Sequence, residues 1–411
     1  MQMNYDFLDN FIFPNKAITL KNRVVMAPTT LRASFEDGSV TTDELAYYQL
    51  RSKGVGLVIA EAAYVNPLGR GWEGAISIAD DDKIPGLRRL ASAIQSGGAK
   101  AVLQLVAAGR QSTTTILRGE QPVSASAQAY PHGEHEQPRA LSHEEIAQNI
   151  NDFAQATKRA ILAGFDGVEI HGANLYLLQQ FFSPESNRRE DIWGGTRDKR
   201  SRFGLAVTAK VAQTIKKYAE KPFLLGYRQS PEESTTPGIS LTDSIAFAQK
   251  LTQLPVDYLH LSLKDATQTS FRDKQDTTPI VSRYRQALPD QYPIMVAGLL
   301  KQPGQVEALM DLGATFAALG RQLIIDPNWV EKIVANDEKS IRYALSPSEF
   351  ETLAIPKPLE NWLLTRFRNG LPLTTDPEFN PERPWQYYKH DTLSDRKPID
   401  PTKLMTLKPK K

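Results

Sequence analysis

A histidine, an asparagine and a tyrosine lie close together near the middle of the chain, and side chains of these types can carry out chemistry on a small molecule. His171 ends a short apolar run at 167–171, and Asn174 and Tyr176 follow within five residues. An imidazole and an amide can donate hydrogen bonds, and a phenol can transfer a proton. Taken singly, the three could equally be a buried histidine, a turn asparagine and a packing tyrosine. The surrounding elements are therefore needed to distinguish a chemical role from a structural one.

Other polar or small residues follow similar apolar runs along the chain. Gly298 comes after the run at 294–297, and Gly320 and Arg321 come after the run at 316–319. Glycine lets backbone N–H groups approach an anion and a guanidinium adds a bidentate charge, so these two run ends could bind phosphate. An ordinary turn with a surface arginine is the alternative interpretation. The remaining candidates near the runs are Pro28, Thr29, Thr30, Ala62, Gln104 and Arg228.

The composition argues against several other chemistries. The chain of 411 residues contains no cysteine, which excludes disulfides, a cysteine nucleophile and cysteine-bound iron–sulfur clusters. A Gly-x-Ser-x-Gly motif is absent, and the run ends offer Glu61 and little else as a carboxylate. Serine hydrolases, glycosidases and carboxylate-dependent aldolases therefore have no support. We assign no metal site.

Eight short apolar runs alternate with segments of helical periodicity, which predicts an α/β fold. Parallel strands need crossover connections, and eight of them favour a (β/α)8 TIM barrel over a doubly wound sheet or another large α/β fold. Chemistry in such a barrel takes place at the carboxyl ends of the strands, where the candidate residues would meet. The runs lie at 23–28, 57–61, 101–105, 167–171, 223–227, 258–262, 294–297 and 316–319. The predicted helices lie at 43–52, 84–98, 143–163, 203–218, 241–252 and 303–312.

Two connections are longer than a simple helix requires. They cover 107–142 after the third strand and 172–199 after the fourth, and both are rich in polar or turn-forming residues. Long loops after the strands of a barrel usually form its binding site, so we expect these two to do so. Ser142 followed by Glu145 predicts a capping box at the start of the third helix.

The pattern changes beyond residue 338. The segment 347–370 has a helical pattern, whereas 371–411 contains many prolines and ends in basic residues. We therefore predict a barrel domain over 1–338 and an extension over 339–411 that packs on the barrel or is partly disordered.

A long motif begins at His171 and is highly specific. It reads HGANLYLLQQFFSPESNRR and is followed by Asp191 and by Trp193 with two glycines. This motif resembles that of the Old Yellow Enzyme family, whose members are FMN-dependent ene-reductases on (β/α)8 barrels. The resemblance extends in order from about residue 8 to residue 335. The family's first three strands are matched by KNRVVMAPTT from Lys21, EAAYVNPLGR from Glu61, and Gln104 with Gly109 and Arg110.

The resemblance implies an FMN site at the mouth of the barrel. Thr30 would contact a flavin carbonyl, Gln104 would bind the pyrimidine edge, and Arg228 would lie beside N1 and O2. A fixed cation there stabilises the negative charge of the reduced flavin. The isoalloxazine ring would be lined by the backbone of Pro28, Thr29 and Ala62. The phosphate would be held by Gly298, Gly320 and Arg321.

The resemblance also implies a reaction. NADH or NADPH would reduce the flavin and leave, and an enone, nitro compound or quinone would then take the hydride from N5 in a ping-pong cycle. His171 and Asn174 would donate hydrogen bonds to the carbonyl oxygen of an α,β-unsaturated acceptor. Tyr176 would supply a proton to the α-carbon as general acid.

One departure from the family pattern leaves the acceptor open. The family's third strand commonly continues into His-Ala-Gly-Arg, but this chain has Ala107 before Ala108-Gly-Arg, so an imidazole is missing near the rim. An NAD(P)H:flavin or quinone reductase, a dehydrogenase, or a double-bond isomerase on the same FMN scaffold is therefore an alternative. A non-catalytic flavin-binding protein is more remote, because His171, Asn174 and Tyr176 are all present.

The remaining expectations concern location and partners. The 49 basic and 47 acidic residues give a net charge of +2, which favours neither nucleic acid nor acidic lipid. No apolar run approaches the roughly 18 residues of a membrane span, and the first 20 residues lack signal-peptide features. We expect a cytoplasmic protein that binds no nucleic acid and no membrane. Family relatives are often homo-oligomers, and residues around 362–368 are candidates to reach a neighbouring subunit.

Overall fold

The computed structural model describes residues 5–14, 16–133, 135–365 and 371–374. Its central element is a closed barrel of eight parallel strands in sequence order, in which the last strand pairs with the first. The predicted (β/α)8 fold is thereby confirmed. The strands are β1 (Val24–Met26), β2 (Leu57–Tyr64), β3 (Lys100–Val106), β4 (Gly167–Gly172), β5 (Leu224–Gln229), β6 (Tyr258–Ser262), β7 (Ile294–Ala297) and β8 (Phe316–Leu319).

Helices connect the strands and cover the outside of the barrel. They are α1 (Thr42–Arg51), α2 (Ile84–Gln95), α3 (His143–Ala163), α4 (Leu177–Phe182), α5 (Arg197–Tyr218), α6 (Leu241–Leu251), α7 (Ile280–Ala287), α8 (Pro303–Asp311), α9 (Arg321–Ile325), α10 (Trp329–Val334) and α11 (Lys357–Leu364). The six predicted helices are all present. Helix α5 begins earlier than predicted because Thr196 caps it, its Oγ1 accepting a hydrogen bond from the Lys199 N–H at 3.3 Å.

The predicted capping box at the start of α3 is confirmed. The Ser142 Oγ accepts a hydrogen bond from the Glu145 N–H at 3.2 Å, and the Glu145 carboxylate accepts one from the Ser142 N–H at 2.8 Å. Two backbone donors that the first turn of a helix leaves without partners are thus satisfied. The cap fixes where the long loop after β3 ends and where α3 begins.

The barrel interior is apolar at one end and polar at the other. At the amino-terminal end, the inward side chains form an apolar layer. A two-stranded antiparallel ribbon, Phe11–Ile12 with Thr19–Leu20, covers this layer, and the rings of Phe11 and of Phe13, which follows the first strand, pack on Phe316. Towards the carboxyl ends of the strands, the inward residues are polar and buried. Because side chains alternate along a strand, the same strands present apolar residues outward to the helices. The inward apolar residues include Val25, Leu57, Ile59, Val102, Leu224, Tyr258 and Met295.

The chain beyond residue 338 contacts the barrel through α11 and the segment before it. Leu345 pairs with Leu373 in an isolated bridge, and Leu359 and Leu363 are buried in the same hydrophobic cluster as the outer barrel residues. The domain boundary at 338 stays a prediction, and 375–411 lies outside the described residues. None of the helices in the described part of the chain is long and apolar enough to span a bilayer.

Candidate active site

The carboxyl ends of the barrel strands surround a cavity of about 470 Å³, a size typical of small-molecule sites. A second cavity of about 70 Å³ shares Pro28, Thr30, Trp72, Tyr176 and Arg228 with the first and extends it towards β4. All of the sequence-predicted site residues line one or both cavities, so the fold brings the whole predicted set together. Its members are Pro28, Thr29, Thr30, Ala62, Gln104, His171, Asn174, Tyr176, Arg228, Gly298, Gly320 and Arg321.

One end of the large cavity is suited to an anion. Gly320 precedes α9 and Arg321 begins it, so a guanidinium lies beside backbone N–H groups at a helix start. Gly298 must be a glycine, because a Cβ there would come within 2.5 Å of the Ala266 nitrogen. Lys301 lines the same cavity and adds a second cation. These groups could hold a phosphate.

A chain of buried, hydrogen-bonded polar side chains begins at Gln104, which lines the small cavity. The Gln104 Nε2 donates to Glu169 at 2.7 Å, and the second Glu169 oxygen lies 2.9 Å from the His260 Nδ1. Burial alone would raise the pKa of Glu169, but the charges and hydrogen bonds around it, His260 above all, lower it. Glu169 therefore stays ionised. Since it engages the Gln104 amide nitrogen, the amide oxygen is left to accept from a donor in the cavity.

Arg228 places a cation between the two cavities. Its side chain is buried, its Nη2 donates to the Ser262 Oγ at 3.2 Å, and its Nε has no hydrogen-bond partner among the described residues. Burial lowers the pKa of Arg228, and the charge of Glu169 opposes this shift. Guanidinium groups remain protonated in proteins, so Arg228 can stabilise negative charge on a bound ring.

His171 and Asn174 each leave one donor for the small cavity. Burial, together with the charge of Arg228, holds the pKa of His171 well below its usual range, so the imidazole is neutral. Its Nδ1 accepts from the Ala173 N–H at 3.3 Å, which leaves the proton on Nε2. The Asn174 amide oxygen accepts from the Ser262 Oγ at 2.9 Å, which leaves its NH₂ group as the donor.

Tyr176 lies beside these donors as a protonated phenol. Its ring centre is 4.9 Å from that of His171 and 6.2 Å from that of Trp72. Burial raises the pKa of Tyr176, although the charges of Arg228 and Arg32 act in the opposite direction. The phenol is therefore protonated at neutral pH and can act as a proton donor.

Several residues of the site were missed from the sequence. Ser262 links Arg228 to Asn174 and is the last residue of β6, so the strand-end rule could have found it. Arg32 and Trp72 lie on loops, where no periodicity marks them. Trp362 also lines the large cavity. That residues around 362–368 reach a neighbouring subunit stays a prediction.

Two other residues of interest lie outside both cavities. Glu61 is buried against α1, where its carboxylate accepts from the Leu31 N–H at 3.0 Å and lies close enough to Glu44 to interact with it electrostatically. Ala107 is buried and forms part of the outer core. Neither lines the cavities, so Glu61 does not serve as a base for a bound ligand there.

The donor set matches FMN in the arrangement of its charges. Arg321, Lys301 and backbone donors line the cavity and could hold a phosphate, and the buried Nε of Arg228, which has no hydrogen-bond partner among the described residues, could serve a ring. Gln104 offers an amide oxygen to a ring N–H, and the cavity is large enough for a three-ring system. The residues present thus fit the cofactor that the sequence resemblance implies.

Comparison with known proteins gives matches over most of the chain. The model of the NADH:flavin oxidoreductase / NADH oxidase family matches residues 13–340. The NADH:fumarate oxidoreductase of Klebsiella pneumoniae (strain 342) is 41% identical over 362 residues, which is 87% of this chain and 39% of that protein. The NADH:acrylate oxidoreductase of Vibrio harveyi is 40% identical over 355 residues, which is 86% of this chain and 35% of that protein. This chain thus spans well under half the length of both relatives.

A solved structure is similar over nearly its whole length. The Old Yellow Enzyme homologue from Zymomonas mobilis is 27% identical and superposes with a TM-score of 0.70. The match covers 80% of this chain and 93% of that one.

Proposed function

The chain belongs to the NADH:flavin oxidoreductase / NADH oxidase family, and from this premise we propose that it is an ene-reductase that uses FMN and a nicotinamide to reduce α,β-unsaturated carbonyl compounds. The predictions of the Old Yellow Enzyme family, of FMN and of a nicotinamide reductant are confirmed by the family match and the structural neighbour. The residue roles and the acceptor are our proposal.

The observation that carries the proposal is the position of two neutral donors and one phenol at the small cavity. His171 Nε2–H and the Asn174 NH₂ can both donate to one carbonyl oxygen. They stabilise the enolate-like negative charge that forms on this oxygen when the β-carbon receives hydride. Tyr176 then donates its proton to the α-carbon and regains one from solvent. The double bond is reduced by one hydride and one proton.

The remaining site residues would hold the cofactor. FMN, when bound, supplies the hydride that it has received from the nicotinamide. Arg228 would stabilise the negative charge of the reduced ring, and Gln104, kept in place by Glu169, would accept from its pyrimidine edge. The phosphate would lie against Gly320 and Arg321.

A second candidate is an NADH dehydrogenase that passes electrons to a quinone or to another flavin. The two curated relatives have most of their length outside the match, so the fumarate or acrylate reduction in their names can occur in the part that the match does not cover. A family imidazole is also missing at Ala107. In this case the barrel would still bind FMN and oxidise the nicotinamide, but an enone would not be its electron acceptor.

A stopped-flow experiment separates the two candidates. The FMN-loaded protein is reduced anaerobically with NADH or NADPH and then mixed with 2-cyclohexen-1-one, with menadione or with free FAD. Rapid reoxidation by the enone, with cyclohexanone as product, supports the ene-reductase. Reoxidation by menadione or FAD alone supports the dehydrogenase. A protein that takes up no FMN would contradict both.

A further inference from the structure

We propose that Arg32 binds a carboxylate of the acceptor, so that the substrate is an α,β-unsaturated carbonyl compound with a separate negative charge. The inference rests on the proposed ene-reductase function and narrows its substrate class. It depends on the position of Arg32, on the absence of an acidic partner for it among the described residues, and on the surplus of positive charge among the residues that line the cavity.

Arg32 is held at the cavity by an unusual backbone conformation. It lies in the loop between β1 and α1 with φ of 58°, in the left-handed region that non-glycine residues seldom adopt. The loop that carries Trp72 and Gly74 packs against it so closely that a Cβ on Gly74 would lie 2.1 Å from the Arg32 carbonyl oxygen. The side chain lines the large cavity together with Trp72 and Tyr176. Such strain tends to accumulate at functional sites.

The guanidinium of Arg32 has no acidic partner in the described part of the chain. No hydrogen bond or ion pair to its side chain is formed there, and its carbon lies 5.8 Å from the centre of the Trp362 ring. A cation–π contact leaves the in-plane N–H donors available for a planar anion. The nearby Glu61 forms no hydrogen bond or ion pair with Arg32, and burial and the charge of Glu44 raise the pKa of Glu61 well above its usual range, which weakens its electrostatic interaction with Arg32.

The cavity as a whole carries more positive charge than FMN needs. Arg32, Arg228, Lys264, Lys301 and Arg321 line it, and no aspartate or glutamate among the described residues does so. A phosphate brings about two negative charges, and a reduced flavin ring adds one more. With Arg321 and Lys301 assigned to the phosphate and Arg228 to the ring, Arg32 and Lys264 remain for another anion, and of these two Arg32 is half-buried whereas Lys264 is exposed.

The two cavities fix where this anion lies relative to the reacting carbonyl. His171 and Asn174 line only the small cavity, Arg32 lines only the large one, and Tyr176 lines both. An acceptor whose carbonyl oxygen contacts His171 and Asn174 would extend past Tyr176 towards Arg32. A carboxylate across the double bond from the carbonyl suits this arrangement, and a guanidinium can bind it with two parallel hydrogen bonds.

A matched pair of acceptors tests the proposal. Holoenzyme reduced anaerobically with NADH is mixed with (E)-4-oxopent-2-enoate or with its uncharged methyl ester. The variants are Arg32→Met, Arg32→Lys and, as a control for net charge, Arg89→Met on the exposed face of α2. The two substitutions at position 32 keep an unbranched L-residue of similar length, so the backbone strain there is unchanged. Calorimetry with 4-oxopentanoate, which lacks the double bond, measures binding by the oxidised holoenzyme without reaction.

We expect Arg32→Met to lower the rate constant for the acid about tenfold or more and that for the ester less than about twofold, since a charged hydrogen-bonding partner is lost only for the acid. Arg32→Lys should lie between Arg32→Met and the parent protein, and Arg89→Met should match the parent. Binding of 4-oxopentanoate should weaken in the same order.

Three results would overturn the proposal: an equal loss for acid and ester, no loss for the acid, or a loss confined to reduction by NADH. The last would assign Arg32 to the phosphates of the dinucleotide. If no enone reoxidises the reduced protein, the proposed function fails. The calorimetric loss of 4-oxopentanoate binding in Arg32→Met would still support the carboxylate site.

Discussion

The two halves of the segment 171–193 use similar side chains in opposite ways. In the first half, His171 and Asn174 each make one internal hydrogen bond through an acceptor atom and leave a donor facing the cavity. In the second half, the polar side chains make their hydrogen bonds to other groups of the protein and leave no donor for the cavity. Gln179 donates to Glu233 at 2.8 Å, and Asn187 donates to two backbone carbonyls. A single motif therefore combines a reactive part with a part that fixes the loops around it.

The second half also holds the first part of the loop after β3 in place. Gln180 accepts from the Arg110 N–H at 3.2 Å and donates to the Ala108 carbonyl at 3.1 Å. Glu185 forms a buried ion pair with the Arg110 guanidinium, which also donates to the Gln128 carbonyl at 3.0 Å. The difference between the halves predicts that substitutions in the first change the reaction and those in the second change stability.

The largest effect is expected for Tyr176→Phe in the first half. Removal of a general acid should slow reoxidation of the reduced enzyme by an enone about 10²- to 10⁴-fold. Reduction of the flavin by NADH needs no proton from this phenol, so its rate should stay the same. Stopped-flow measurement of both half-reactions checks this. Equal slowing of the two would show that Tyr176 shapes the cavity instead of donating a proton.

The next largest effect is expected for Glu185→Gln in the second half. It leaves the buried Arg110 guanidinium without its counter-charge, which should cost about 3–5 kcal/mol of unfolding free energy. The enone reaction of the folded variant should be almost unchanged. Urea unfolding followed by fluorescence gives the stability, and Asp198→Asn, which breaks an exposed ion pair with Lys250, serves as the control. A Glu185→Gln protein that is stable but inactive would contradict the claim that the second half acts on stability and the first half on the reaction.

A smaller effect is expected for His171→Ala on ligand binding. Phenolate ligands such as 4-hydroxybenzaldehyde place a negative oxygen where the carbonyl would lie, and loss of one hydrogen bond to it should weaken binding about 10- to 100-fold. Titration of the flavin absorbance band measures the Kd. His143→Ala removes an exposed imidazole at the start of α3 and should leave the Kd as it is. An unaltered Kd in His171→Ala would show that the imidazole does not donate a hydrogen bond to the negative oxygen of the ligand.

Periodicity and strand-end position predicted much of this molecule, and the limits of that approach have physical causes. Tyr258–Ser262, Ile294–Ala297 and Phe316–Leu319 agree with their predicted bounds because buried parallel strands are continuous apolar runs. Arg228 lies within β5, as predicted, but β5 extends two residues beyond the apolar run at 223–227, because an apolar-run criterion does not count a polar side chain that points into the barrel.

Long-range contacts account for most of what the sequence did not reveal. Glu169 and His260 lie in the middle of two predicted strands, and only the barrel register brings them together to orient Gln104. Trp362 reaches Arg32 from more than 300 residues away in sequence. Loop residues such as Trp72 have no periodic environment, so their role depends on tertiary packing alone.

The smallest effect that separates the halves is a pH dependence of stability. Since the pKa of His171 is well below 6.5 in the folded protein, the unfolded state binds a proton between about pH 7 and pH 5 that the folded state does not bind. Stability is therefore full above this window and falls as the pH is lowered through it, by at most about 1.4 kcal/mol per pH unit for this one group. The pKa of His260 is also lowered in the folded protein. Because none of the compared variants changes His260, its contribution to the slope is common to all of them.

His171→Asn should therefore show a shallower loss of stability between pH 7 and pH 5 than the parent holoprotein at saturating FMN. Tyr176→Phe keeps the imidazole and should keep the parent slope, because a phenol of raised pKa does not titrate in this range. Urea midpoints at several pH values measure the slopes, and terms such as the titration of the FMN phosphate cancel in the comparison. A parent slope in His171→Asn would mean that the imidazole takes up a proton between pH 7 and pH 5 in the folded protein as readily as in the unfolded chain, and so becomes protonated there. In that state the Nδ1 could not accept from Ala173, and the neutral oxyanion donor would have to be reassigned.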